Sequence, residues 1–273
     1  MPASSSGQLG FGVEATWEHR IMTRDVDFAT RTCRSESTSG MTDLILGIET
    51  SGFEGSVALR RAGETVETVL LEKRRHAQTL VAQVQSLLRR HEIRAADITT
   101  IAVSHGPGSF TGLRVGVVFA KTFAFTTGCR LVAVDTLQCV AAAAPSEFQH
   151  VAVIADAQRE QLFLGQFLRA GNGPPQRAGE IEIIDFEAFC ELAGRLLAAD
   201  FAVTGPGTSR IEDVLPEFVE VVTPDLRTPS AAHVAAIGER LALDGEEADP
   251  STLEPFYIRR SSAEDKRDAM AAS

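Results

Sequence analysis

The chain has 273 residues, 44% of them apolar, enough for one large domain or two modest ones around a sizeable core. Its 26 Lys and Arg stand against 37 Asp and Glu, a formal charge of −11 that argues against a protein wrapping nucleic acid by itself, so any RNA would be reached through a basic partner. Cys33, Cys129, Cys139 and Cys190 show no CxxC or metal-type spacing and no secretory signal opens the chain, which fits reduced thiols in a cytosol; the apolar run from Leu113 to Phe125, broken by Arg114 and Lys121, is too short to span a bilayer.

Residues 1–40 are rich in Ser, Thr and Gly, interleave arginines with acids and sustain no apolar periodicity, so they read as a disordered extension. Met41 directly precedes the first convincing strand and is a candidate start of translation, which the intact mass of the native protein would decide. Leu44–Ile48 reads as a buried strand, Glu49-Thr50-Ser51-Gly52 as a turn, and Gly55–Leu59 as a returning strand. A third strand follows near 65–71, then a helix from about His76 to Arg90 with Leu80, Val84, Leu87 and Leu88 on one face. A strand over 98–104 leads into the loop His105 to Gly112 and a second helix ending near Gly128. A strand over 130–134 and a helix opened by Asp135-Thr136 complete a first lobe, 41–145.

The opening hairpin then recurs, with Val151–Asp156 and Gln161–Leu168 as its strands and Asp156 matching Glu49 at the end of the first. One such hairpin per lobe is the mark of an internally duplicated fold. The second lobe, 146–229, continues with a surface loop at 171–175, a strand near 181–184, a helix near 186–198, a strand over 201–204 and the turn Gly205-Pro206-Gly207. A helix over about 230–243 and the segment Phe256-Tyr257-Ile258 pack back on the lobes within 230–260, before a polar tail at 261–273.

Two features carry chemistry or binding. Gly106-x-Gly108-x-x-x-Gly112 is one residue too long for a dinucleotide fingerprint, and no P-loop lysine follows it. It is either a tight strand-to-helix connection capped by Ser109 or Thr111, or a loop whose amides cradle phosphate. The helix from Thr111 to Thr127 has Leu113, Val117, Ala120 and Ala124 on one face and Val115, Val118, Phe119, Phe123 and Phe125 spread over the other, with Arg114 and Lys121 as its polar stripe. A helix apolar nearly all round must be covered on more than one side, by its own lobe or by a partner.

The run Ile48-Glu49-Thr50-Ser51, the loop to Gly112 with Arg114 beyond it, Asp135-Thr136-Leu137, Asp156-Ala157-Gln158-Arg159-Glu160 and Glu254-Pro255-Phe256-Tyr257-Ile258-Arg259 together resemble the TsaB family, over about 44–260. The resemblance implies a duplicated two-lobed α/β fold of the actin-like (ASKHA, RNase H-like) class. It further implies a non-catalytic subunit in threonylcarbamoyl modification of the adenosine beside the tRNA anticodon, working as a heterodimer with the catalytic paralogue TsaD and joined by the ATPase TsaE. The implied partner contacts are His76, Leu80 and Val84 on the first helix and Arg114, Val115, Val118, Phe119, Thr122 and Phe123 on the second. Fold analogy offers Glu49, Thr50, Ser51, Gly106, Gly108, Ser109, Thr111, Gly112, Asp156, Gly205 and Gly207 as loop or nucleotide positions, against the plainer reading that Asp156 caps a turn and Gly205 and Gly207 end a strand. Glu49 stands where the family usually has Asp, and its extra methylene is expected to carry the carboxylate outward.

The catalytic paralogues place two histidines four apart to bind a metal, whereas here the residue four beyond His76 is Leu80, and His19, His91, His105, His150 and His233 offer no pairing at ligand spacing. His76 is therefore expected to face solvent, with no metal and no resident cofactor, and at most weak ATP or ADP binding at the complex. The expected setting is cytoplasmic, without membrane contact, with tRNA touched only indirectly and a homodimer when the chain is alone. The alternative is a stand-alone ATP-dependent kinase on the same fold.

Overall fold

The computed structural model describes residues 43–72, 75–158, 160–169, 173–195 and 201–258. The N-terminal extension with Trp17, Gly171 and Asn172 of the expected surface loop, the end of the helix expected to reach 198, and the polar tail lie outside them.

Leu44–Glu49 (β1) is the centre of the first sheet. It pairs antiparallel with Ser56–Arg61 (β2), Glu49 opposite Ser56, and parallel with Thr100–Gly106 (β4), Ile45 opposite Thr100. Glu64–Leu70 (β3) and Arg130–Asp135 (β5) complete the order β3-β2-β1-β4-β5. Five of the six β1 residues are buried because helices cover both faces, which is why the strand is a continuous apolar run. Side chains alternate across the pleat: Leu46 and Ile48 join the core beneath His76–Arg90 (α1) and Phe110–Thr127 (α2), while Ile45 joins the core beneath Ala231–Leu243 (α5). α2 stops at Gly128, which takes the left-handed conformation at φ 76°.

The second sheet repeats the plan. His150–Gln158 (β6) pairs antiparallel with Gln161–Leu168 (β7), which also pairs Gln176–Arg177 (β8) and Glu182–Asp185 (β9). On its other side β6 runs parallel to Phe201–Thr204 (β10), itself parallel to Glu220–Val221 (β11). One face is covered by Phe186–Arg195 (α4), with Phe189 and Ala193 against Ile154, Leu162 and Leu164. The other carries Thr136–Ala143 (α3), with Leu137, Val140 and Ala141 against Val151, Val153 and Phe167. Asp135 caps α3 through Oδ1, which accepts from Leu137 N at 2.8 Å.

One sequence expectation shifts. β4 begins at Thr100 because Ala95–Asp97 forms a short 3-10 turn before it, and it runs on through His105 and Gly106, so the glycine loop starts later than the pattern suggests. Phe256-Tyr257-Ile258 forms no regular element. Gly112, the third residue of α2, is enclosed: a Cβ there would stand 2.0 Å from the Thr50 carbonyl oxygen. Gly112→Ala is expected to cost about 2–3 kcal/mol in urea unfolding, whereas Gly179→Ala, with no atom within 4 Å of its would-be Cβ, leaves the midpoint unchanged.

Candidate functional site

The turn after β1 packs directly on the start of α2. Thr50 Oγ1 donates to Gly112 O at 2.8 Å, and Ser109 N donates to Ser51 O at 2.7 Å. Ser109 Oγ accepts from Gly112 N at 3.3 Å, so Ser109 and not Thr111 caps the helix. A Cβ on Gly108 would meet Ser51 at 2.8 Å, and one on Gly106 would meet Phe256 O at 2.3 Å. The glycines are therefore occupied by the chain's own backbone and side chains, the geometry of a tight strand-to-helix connection.

Glu49 is fully buried, and its Oε1 accepts from both Ser51 N and Ser51 Oγ at 2.5 Å. Its Oε2 and Ser104 Oγ are buried without a hydrogen-bond partner, although Ser104 lies near enough to favour the charged form. Burial outweighs these stabilising contacts and raises the carboxyl above the usual glutamate range. The expectation of an outward carboxylate is thus corrected: the added methylene lets the side chain curl back onto Ser51. In the second lobe Asp156 is half-exposed, and its Oδ1 accepts from Arg210 Nη1 at 2.6 Å. The Arg210 guanidinium also lies 4.8 Å from the centre of the Phe186 ring. Gly205 and Gly207 pack against Ile154 of β6, where a Cβ on Gly205 would stand 2.2 Å from its carbonyl oxygen.

On α2, Leu113, Val117, Ala120 and Ala124 are buried together with Gly112 and Gly116. Val115, Phe119 and Phe123 are half-buried against the same core, the two phenylalanine rings 5.9 Å apart. Val118 is 61% exposed and Phe125 85%, with Arg114 and Thr122 also exposed. The described residues of the chain therefore cover only one side of this apolar helix fully. The polar stripe is tied down: Arg114 Nε donates to Tyr257 Oη at 3.0 Å, its guanidinium sits 3.9 Å over Phe110, and Lys121 Nζ donates to Leu253 O at 2.8 Å. Phe110 and Tyr257 stack at 4.9 Å. The contacts of Tyr257 and Leu253 with α2 join positions more than 130 residues apart, and no local pattern announces them.

Three expected partner contacts on α1 are corrected. Leu80 and Val84 are core residues, and His76 is buried at 8% exposure instead of facing solvent, because α1 turns its row His76, Leu80, Val84 and Leu87 toward the sheet. Val81 is what α1 exposes instead. A cavity of about 500 Å³ lies between the β1–β2 turn, where Gly52 and Phe53 line it, and the first turns of α1 and α2. His76 lines it, and His76 Nε2 is buried with no hydrogen-bond partner. Among the described residues no three His, Cys, Asp or Glu are grouped to hold a metal ion, and no helix is long and apolar enough to cross a membrane.

Both sheets place their strands in the same order, a hairpin with a third antiparallel strand on one side and two parallel strands on the other, which defines a two-lobed α/β protein of the actin-like class. The family model for TsaD, tRNA N6-adenosine threonylcarbamoyltransferase, matches residues 70–266. The TsaB protein of Bacillus subtilis (strain 168), named for tRNA threonylcarbamoyladenosine biosynthesis, is 31% identical over 229 residues, 81% of this chain and 96% of its own length. Its Escherichia coli (strain K12) namesake is 27% identical over 222 residues, 80% and 96% of the two chains. The structure of YeaZ from Pseudomonas aeruginosa superposes with a TM-score of 0.69 at 24% identity, over 79% of this chain and all of its own. The chain belongs to the TsaB family.

The buried carboxyl makes stability pH-dependent. The native state keeps the Glu49 proton to higher pH than the unfolded chain, so its contribution to stability falls as pH rises from the unfolded value near 4.5 through the raised native one. Glu49→Gln, which keeps an acceptor for Ser51, is expected to raise the urea midpoint relative to the parent at pH 8, with the gain fading toward pH 4.5.

Proposed function

We propose that this chain is a non-catalytic scaffold subunit that binds a TsaD-like catalytic partner in threonylcarbamoyl transfer to the adenosine next to the tRNA anticodon. The observation that carries this reading, beside the family, is the outer face of α2, where exposed Val118 and Phe125 continue the half-buried row Val115, Phe119 and Phe123. An apolar stripe of this kind on an otherwise well-packed helix suits a helix-to-helix interface. Arg114 and Thr122 flank it as the polar rim.

Several features support a scaffold over a transferase. His76 has a core leucine four residues on, so α1 offers a single imidazole where a metal site needs several donors. The glycine loop is filled by Ser51, Thr50 and Phe256, and the Glu49 carboxyl is sealed from solvent. With a net charge of −11, tRNA is engaged through the partner. A TsaE-like ATPase joins the pair in the cytoplasm, the chain holds no resident cofactor, and any ATP or ADP binds weakly at the complex. Alone, the chain forms a homodimer through the same face. The kinase alternative finds no support among the relatives, which are named for tRNA threonylcarbamoyladenosine chemistry.

Val118→Asp tests the interface with little risk to the fold, since an exposed substitution changes stability by about 0.5 kcal/mol or less. It is expected to weaken binding to the TsaD-like partner by at least about 30-fold, equivalent to about 2 kcal/mol, in calorimetry of the purified pair. Undiminished affinity in both Val118→Asp and Phe125→Asp would place the interface elsewhere.

A further inference from the structure

We propose that Arg114 is the charged anchor of the outer α2 face, a guanidinium held in place to receive a carboxylate of the TsaD-like partner. The inference rests on the scaffold reading and names what that partner must present. On a helix, residues three or four apart share one side. Arg114, Val118, Thr122 and Phe125 therefore form a single row, and all four are exposed. Arg114 stands one turn before Val118, so a helix laid on the apolar stripe comes within reach of its guanidinium.

Although exposed, this side chain is fixed. Its Nε donates to Tyr257 Oη at 3.0 Å, and its guanidinium carbon sits 3.9 Å from the centre of the Phe110 ring and 6.0 Å from that of Tyr257. The two rings stack at 4.9 Å, and Phe256 N, donating to His105 O at 2.7 Å, pins the segment that carries Tyr257. Among the described residues Arg114 bonds through Nε alone, which leaves the end of its fork, Nη1 and Nη2, for an outside acceptor. In a chain with 37 acidic residues, none of the described ones forms an ion pair with it. The other cation of α2, Lys121, is already engaged by Leu253 O at 2.8 Å. An arginine ordered beforehand loses less freedom on binding, and its planar fork matches a carboxylate through two parallel hydrogen bonds. A phosphate would satisfy the same fork, but a net charge of −11 repels a polyanion such as tRNA, and the apolar neighbours Val118 and Phe125 suit a protein surface.

The test measures the affinity and association rate of the full chain with the purified TsaD-like partner at several salt concentrations. Arg114→Leu, which keeps an apolar stem over Phe110, is expected to weaken binding at least about tenfold, chiefly by slowing association, and to flatten its salt dependence. Arg114→Lys keeps the charge but not the fork, and should recover the salt dependence with only part of the affinity. Tyr257→Phe releases Nε while preserving the ring, and should weaken binding several-fold with the salt dependence intact, a separation that simple loss of structure would not produce. Against Arg114→Glu, changing the partner's acidic residues to Lys one at a time should restore binding at one position. Parent-like affinity and salt dependence in Arg114→Leu while Val118→Asp still disrupts the pair, or a scan without a rescuing position, would overturn this inference and leave the scaffold reading standing. No binding by the parent chain would overturn both. Binding of tRNA by the chain alone that Arg114→Leu abolishes would also overturn it, by assigning the guanidinium to a phosphate.

Discussion

The first lobe is organised by the jamming of one helix start against one strand end. Thr50 Oγ1 reaches the carbonyl of Gly112, and the Ser51 carbonyl takes the amide of Ser109, so the backbone of α2 begins within hydrogen-bond distance of the turn that ends β1. Such an approach leaves no room for side chains. A Cβ on Gly108, Gly112 or Gly116 would stand 2.8, 2.0 or 2.3 Å from atoms of Ser51 or Thr50. Glu49 supports the arrangement from beneath, because its carboxyl holds both the amide and the hydroxyl of Ser51 and thereby shapes the turn. What looks in outline like a phosphate-cradling loop is here a mechanical joint.

A second restraint acts from the opposite end of the chain. The segment from Leu253 to Tyr257 lies along α2, with Phe256 N donating to His105 O, Lys121 reaching Leu253 O, and Arg114 bridging Phe110 and Tyr257. The helix is thus held along its inner row by the sheet, at its start by the β1 turn, and along its polar stripe by the C-terminal segment. Its outer row, with Val118 and Phe125, is presented on a scaffold that is already ordered. Ordering groups at the moment of association is a major cost of binding, and an interface rigid beforehand loses less to it.

The two lobes show how one architecture diverges in electrostatics. The acid that the two hairpins share is a sealed carboxyl with a raised pKa in Glu49 and a half-exposed side chain paired with Arg210 in Asp156. Burial removes water from the first and raises its pKa, whereas the second stands half in solvent against an arginine. The likeness of the two sheets is therefore a likeness of backbone order, which side chains at equivalent positions do not share.

Strand and helix positions were legible because local patterns are dictated by burial: continuous apolar runs for β1 and β6, a 3.6-residue row for α1, Asp135 and Gly128 as helix punctuation. The repeated hairpin, the net acidic charge and the signature runs of the family were likewise present in the chain as written. Which side of each element faces inward toward its own core was not. His76, Leu80 and Val84 form a good stripe, and a stripe has the same sequence whether it meets a partner or the sheet beneath it. The packing of Tyr257 against Phe110 and Arg114 and the cavity beside His76 arise from contacts between residues far apart along the chain, and only the folded backbone brings them together; the Glu49 side chain turns onto Ser51, two residues on, but what closes it from solvent is the surrounding fold.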